Sequence, residues 1–195
     1  MKTTKTIIKP LMSLLFLLSF STSFVYAQTY NLNNQNSKLT VSGTSSLHDW
    51  DVVAEKQNGQ LELDNAADLK ISKLNFEVTA ESLKSGKGGM DKNTYKALKT
   101  SKHKTITFQM TDLKSVKSSG NGIYKVEVSG DLSIAGVTKK MNLNFDLQQS
   151  GNKVTLKGEK AFKMTDFGID PPKALMGTIT TGDQITIKFD TTFNK

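Results

Sequence analysis

Leu74, Phe76, Val78 and Ala80 fall on one side of an alternation whose other side is Lys73, Asn75, Glu77 and Thr79. A period of two marks a β-strand with one face against apolar surroundings and one against water. The same pattern recurs from Lys38 onward. Leu39, Val41 and Gly43 share one face of a first strand, Trp50, Val52 and Ala54 one face of a second, and Leu61 with Leu63 one face of a third. Ile106, Phe108 and Met110 alternate with threonines and Gln109. The later runs are longer: Tyr124 to Ile134, Met141 to Leu147, Val154 to Met164 and Ile185 to Phe193. Asn58-Gly59, Asn121-Gly122, Ala135-Gly136, Ser150-Gly151-Asn152 and Thr181-Gly182-Asp183 read as the turns between them.

One segment breaks the alternation. GGMDKNTYKALKTSKH, starting at Gly88, predicts a short helix with Asp91 as its N-cap and Tyr95 and Leu98 on one face. Met90 and Tyr95 would form a hydrophobic staple, with Lys99 and Lys102 favourable in the last turn. About nine strands and one helix, with no repeat and no linker, predict a single all-β domain. Sequential strands joined by tight turns must close or cover their edges, which favours a barrel.

The N-terminus carries a different signal. Lys2, Lys5 and Lys9 precede the apolar run Leu11 to Phe20, and Val25-Tyr26-Ala27 offers a cleavage site before Gln28. Residues 1–27 are therefore expected to be an export signal, and the protein periplasmic or secreted. The apolar run is short for a membrane-spanning helix. Residues 28–37, rich in asparagine, are expected to form a flexible arm ahead of a domain over 38–195. Lys2, Lys5 and Lys9 are the only charges in the first 27 residues, so the net charge of +8 becomes +5 without them. The positive charge is entirely lysine, and a chain lacking arginine's planar fork does not suggest nucleic-acid recognition. Scattered lysines leave room for a weak, transient attraction to anionic lipid headgroups at a membrane surface. With no cysteine there are no disulfides, thiolate metal sites or cysteine nucleophiles. Nothing in the sequence fixes an oligomeric state.

Three stretches look like chemistry. SSLHDW, Ser45 to Trp50, gathers a serine, one of only two histidines, an aspartate and the sole tryptophan. On a strand His48 and Asp49 would point to opposite faces, so Asp49 could not orient the imidazole as a triad acid does. No glycine-flanked nucleophile elbow surrounds Ser46, and no HxH or HExxH spacing supports a metal site. His48 is expected at the start of a strand, with Trp50 turned inward. DFG, Asp166 to Gly168, stands without the other parts of a kinase, and Pro171-Pro172 is expected to end the strand before it. GKGG, Gly86 to Gly89, lacks P-loop spacing and reads as the hinge of a lid. No catalytic group, metal or cofactor follows from these, and no enzymatic activity is expected.

What remains is the interior, rich in large or deformable side chains such as Trp50, Phe76, Phe108, Met110, Phe145 and Phe162. A closed barrel of about eight strands is the size at which side chains either fill the middle or leave room for one small ligand. Burying about ten methylenes of a lipid at about 0.8 kcal/mol each would give about 8 kcal/mol before ordering costs. That is near micromolar affinity without a charged hot spot. The alternation alone leaves two readings open, a lipid carrier and a packed interaction module.

Four segments carry a resemblance. KLTVSGTSSLHDWDV (Lys38 to Val52), GMDKNTYKALKTSKHKTITF (Gly89 to Phe108), GDLSIAGVTKKMNL (Gly130 to Leu143) and MTDFGIDPPKALMGTITTGDQITIKFD (Met164 to Asp190) resemble, in order, the YceI-like, polyisoprenoid-binding proteins. The resemblance implies a single antiparallel, lipocalin-like β-barrel of about eight strands with one short helix. It implies an exported, non-catalytic protein that holds an isoprenoid or fatty-acyl lipid in an apolar cavity. Carried onto inward positions of the matching segments, it implies ligand contacts from Trp50, Phe76, Tyr95, Leu98, Phe108, Phe145, Phe162, Phe167 and Met176. Tyr95, Leu98 and Met176 would stand at the mouth, and a lid over residues 84–102 would open to admit the lipid.

Overall fold

The alternating segments pair in chain order by antiparallel ladders, in a computed structural model that describes residues 27–65 and 69–195. The expected export signal, Ala27 apart, lies outside the described residues. The strands are β1 (Gln28–Leu32), β2 (Lys38–Ser45), β3 (Trp50–Ala54), β4 (Gln57–Asn65), β5 (Lys70–Thr79) and β6 (Leu83–Lys84). After helix α1 (Gly88–Ala97) follow β7 (Thr105–Gly120), β8 (Ile123–Ile134), β9 (Val137–Ser150), β10 (Lys153–Lys163), β11 (Lys173–Ala174) and β12 (Ile179–Asn194).

Several of these segments are parts of longer staves. β12 pairs with β2 through Asp190↔Lys38 and continues onto β1 through Phe193↔Leu32. β3 and β4 lie end to end along β2 and β1, and β6 with β5 follow along β3 and β4. Counted as staves, the sheet is an eight-stranded antiparallel barrel closed between β12 and the β1–β2 stave. The three breaks lie side by side, and polar side chains stitch them. Asn34 donates from Nδ2 to the Glu55 carbonyl (2.9 Å) and accepts at Oδ1 from the Gln57 amide (2.8 Å). Ser82 Oγ accepts from the Lys56 amide (3.1 Å). Backbone groups that leave their ladder at a break thus find partners.

Four expectations are corrected here. The asparagine-rich lead is not a loose arm throughout: residues 28–32 are a strand, and Tyr30 is fully buried because its ring completes the core. Asn58-Gly59 lies inside β4, paired with Glu77 and Phe76, where a side chain at Gly59 would collide with the Asn75 carbonyl. Thr181-Gly182-Asp183 is a register shift within β12, not a turn. β10 ends at Lys163, before Pro171-Pro172, because the 3-10 turn Met164–Phe167 takes over the chain. Asn121-Gly122 and Ala135-Gly136 are turns, with all four residues at positive φ as a two-residue hairpin requires.

Packing is uneven along the barrel. Tyr30, Leu61, Leu63, Leu69, Val128, Leu147, Val154 and Phe193 are sealed from solvent at the end where β1 joins β12. Towards the opposite end Phe167, with Met164 and Ile169, is buried at the side of the barrel, and the space between is left open.

Candidate functional site

The inward faces above Phe193 enclose a cavity of about 750 Å³, within the range of small-molecule sites. Its wall is built by the alternation already described: Val41 and Trp50 from β2 and β3, Phe76 and Phe108 from β5 and β7, Phe145 and Phe162 from β9 and β10, Ile187 and Phe189 from β12. It reaches the surface between the β2–β3 turn, α1 and the 3-10 turn Leu175–Gly177, where Leu47 and Leu175 line it while 66% and 72% exposed. A barrel packed solid, one of the two readings the sequence left open, is excluded by this space.

Inward glycines help to make the space. Gly43 and Trp50 are ladder partners, as are Gly59 and Phe76, and Gly158 and Phe189. A Cβ at Gly43 would overlap the Trp50 ring, and one at Gly158 would lie 2.7 Å from Phe189. At Gly130 a Cβ would overlap Phe108, which comes from the neighbouring strand. Each ring occupies the place of a missing side chain and so lies along the wall. Aromatic cover of strand glycines is a known device for holding register; here it also keeps bulk out of the lumen. The Trp50 indole is fixed at its polar end by a hydrogen bond from Nε1 to the Thr44 carbonyl (3.0 Å).

Helix α1 lies over the mouth, with Met90, Asn93, Thr94 and Leu98 facing the cavity. It starts at Gly88, one turn earlier than the sequence predicts, so Asp91 is not its N-cap and the staple is absent. The Asp91 carboxylate instead reaches back to accept from the Ser85 amide (2.8 Å) and hydroxyl (2.6 Å), pinning the loop that leads in. These bonds hold its pKa below the usual carboxylate range. Lys99 ends the helix in the left-handed region, so Lys96, not Lys99 or Lys102, is the cation of the last turn. At Gly88 and Gly89, the first residues of α1, an added Cβ would meet nothing.

Of the residues carried over by resemblance, Trp50, Phe76, Leu98, Phe108, Phe145 and Phe162 line the cavity. The other three lie outside the lining. Tyr95 ties α1 to the wall: its hydroxyl lies 2.8 and 3.1 Å from the Glu81 and Leu83 carbonyls and accepts from Lys84 Nζ (2.6 Å). That bond raises the Lys84 pKa. Phe167 is fully buried against Phe162, edge to face at 5.1 Å. Met176 is wholly exposed beside the mouth.

SSLHDW is a turn that ends where β3 begins, so His48 precedes the strand instead of starting it. Ser45 Oγ donates to the His48 carbonyl (2.7 Å), and His48 Nδ1 donates to the Asp49 carbonyl (2.6 Å), not to a carboxylate. Ser46 Oγ accepts from the Thr180 amide (3.1 Å), joining this turn to the start of β12. In DFG, Asp166 accepts from the Lys163 amide (3.1 Å), a capping role. Among the described residues no cluster of three or more histidine or carboxylate groups is placed to hold a metal ion.

Lys160 is among the lining residues that escape the sequence reading. It stands on the inward side of β10, after Val154, Leu156 and Gly158 and before Phe162. The signal was present: counting by twos from Leu156 to Phe162 passes through Gly158 and Lys160.

The structure resembles solved barrels. Burkholderia cenocepacia BcnA matches with a TM-score of 0.67 at 16% identity, over 83% of this chain and 98% of that one. A polyisoprenoid binding domain from Saccharophagus degradans, implicated in plant cell wall breakdown, matches with a TM-score of 0.67 at 13% identity, over 85% and 97%. The Campylobacter jejuni YceI protein matches with a TM-score of 0.57 at 18% identity, over 72% and 82%. No match was found among curated proteins. At these identities the solved structures speak for the fold alone. The sequence itself matches the YceI-like domain over residues 30–193, so this chain is a member of the YceI-like family.

Proposed function

We propose that the protein is an exported carrier that sequesters an isoprenoid-chain or fatty-acyl lipid in its barrel and performs no catalysis. The observation that carries this reading is the cavity of about 750 Å³ walled by aliphatic and aromatic side chains. Family membership supports it, since a structural relative is described as a polyisoprenoid binding domain. The apolar chain leaves water for the lumen at about 25 cal/mol per Å² of apolar surface buried. Loading proceeds at the mouth, where α1 swings on the Gly86–Gly89 hinge. Exposed Leu47, Leu175 and Met176, with Lys87 and Lys173 nearby on the lining, suit transient contact with an anionic membrane surface.

Native mass spectrometry of the chain from Gln28 onward, purified from a periplasmic extract without detergent, tests the reading. The expected result is a discrete added mass that organic extraction removes. A bare protein mass, with no uptake of added isoprenoid quinones or fatty acids, would reject it.

A further inference from the structure

The cavity lining contains Lys87, Lys160 and Lys173 but no aspartate or glutamate. Lys87 and Lys173 are exposed at the mouth, where water satisfies them. Lys160 is different. It is half-buried on the inward face of β10, two residues deeper than Phe162, and its ladder partner on β12 is Ile187. Glu159 is its neighbour in sequence, yet alternation turns that carboxylate outward. Among the described residues no carboxylate lies within ion-pairing distance of Lys160, and it makes no side-chain hydrogen bond.

The wall beside Lys160 is also incomplete. The β9–β10 ladder stops at Gly158↔Phe145, while β10 continues to Lys163 along β12 and β9 pairs with β8 back to Val137. Met141 and Leu143, on the β9 side of this break, line the cavity and stay half-exposed. An ammonium in an apolar wall is costly unless water or an anion meets it. The break gives room for such a group without filling the lumen.

Resting on the carrier reading above, we propose that Lys160 anchors an anionic headgroup. The ligand is then an amphipathic acid, with a carboxylate or phosphate beside the β9–β10 break and its apolar chain along the lumen. Charge-assisted hydrogen bonds are roughly twice as strong as neutral ones, so the acid is favoured over its uncharged analogue.

The test compares matched ligands on the chain from Gln28 onward, with the emission of Trp50, the sole tryptophan, as readout. The pairs are hexadecanoic acid against hexadecan-1-ol, and geranylgeranyl monophosphate against geranylgeraniol. Wild type should bind the charged member roughly 10- to 100-fold tighter. Lys160→Met should abolish the preference by weakening the charged member of each pair, Lys160→Arg should retain most of it, and Lys87→Gln/Lys173→Gln should keep it. A preference confined to one pair assigns the headgroup as carboxylate or as phosphate. Equal binding of acid and alcohol by wild type, or a preference that survives in Lys160→Met, overturns the anchor and leaves the carrier standing. Binding of no member of either pair overturns the carrier reading and the anchor with it.

Discussion

At the end of the barrel where β1 meets β12, Tyr30, Leu61, Leu147 and Phe193 interlock with no exposed surface. At the other end, strands with the same alternation surround a cavity of about 750 Å³. Two things separate these regions. The lower ring is crossed by the β1 segment, which brings Tyr30 inward, whereas inward positions of the upper ring include Gly43, Gly130 and Gly158, each overlain by an aromatic ring. A solid end and a hollow end therefore need no difference in binary pattern, only a difference in which inward positions carry bulk and which carry none.

The largest effect expected from this contrast is on stability. Leu147→Ala in the sealed end should cost about 2–5 kcal/mol, because transfer and cavity terms add there. Ile187→Ala in the hollow end should cost about 1 kcal/mol, since its side chain already faces space and little new void is made. Urea unfolding measures both. Equal costs would mean that the upper wall is as tightly packed as the floor.

Next is the glycine device itself. Gly43→Val puts a strand-favouring residue at a position whose backbone accepts it, yet its side chain must displace the Trp50 ring. Overpacking of this kind costs about 1–3 kcal/mol. The displaced indole should shift its emission and lower uptake of long-chain lipid several-fold. An unchanged spectrum with full uptake would show that the ring has room elsewhere and that glycine is not what keeps the lumen open.

Much of this was legible before the structure and some was not, for physical reasons. Period-two alternation depends only on which face meets water, so Val126, Leu147 and Phe189 declare themselves inward in either end. Whether an inward ring meets another ring or a void depends on partners across the barrel, which no single strand records. The same limit explains Asn58-Gly59: its local chemistry is that of a turn, but Gly59 answers to Phe76 and Phe193. The stave breaks are invisible for a related reason, since Asn34 and Ser82 satisfy backbone groups more than twenty residues away in sequence. Lys160 could have been found by strict counting. Its charge is what hides it, since charged residues are expected on the wet face.

A smaller effect is expected at the rim of the hollow end. Leu175 and Met176 sit at positive φ with their side chains in solvent, Met176 fully exposed. Leu47 faces the same mouth from the β2–β3 turn. Replacing Leu47 and Leu175 together by aspartate should reduce partition onto vesicles of anionic phospholipid by roughly tenfold, through lost apolar insertion and added repulsion. The same pair of changes should leave unfolding within about 0.5 kcal/mol, as for other exposed positions. Vesicle co-sedimentation decides it, and undiminished partition would leave the mouth without the proposed membrane role.

The smallest effect concerns the start of α1, which Asp91 ties to Ser85, and is a matter of pH. Hydrogen bonds from the Ser85 hydroxyl and amide depress the Asp91 pKa in the folded protein. A depressed carboxylate contributes stability that is fully present above its unfolded pKa of about 3.9 and is lost as pH falls through the lower folded value. Above about pH 5 the Asp91–Ser85 contact should therefore be insensitive to pH. Below about pH 4 it should loosen, and amide exchange in α1, corrected for intrinsic rates, should speed up several-fold relative to β8. Asp91→Asn keeps an acceptor for Ser85 but cannot titrate in this range, so its α1 exchange should be flat across the window. If that variant shows the wild-type pH dependence, some other group governs the opening of α1, and the contrast between the sealed floor and the mouth no longer turns on Asp91.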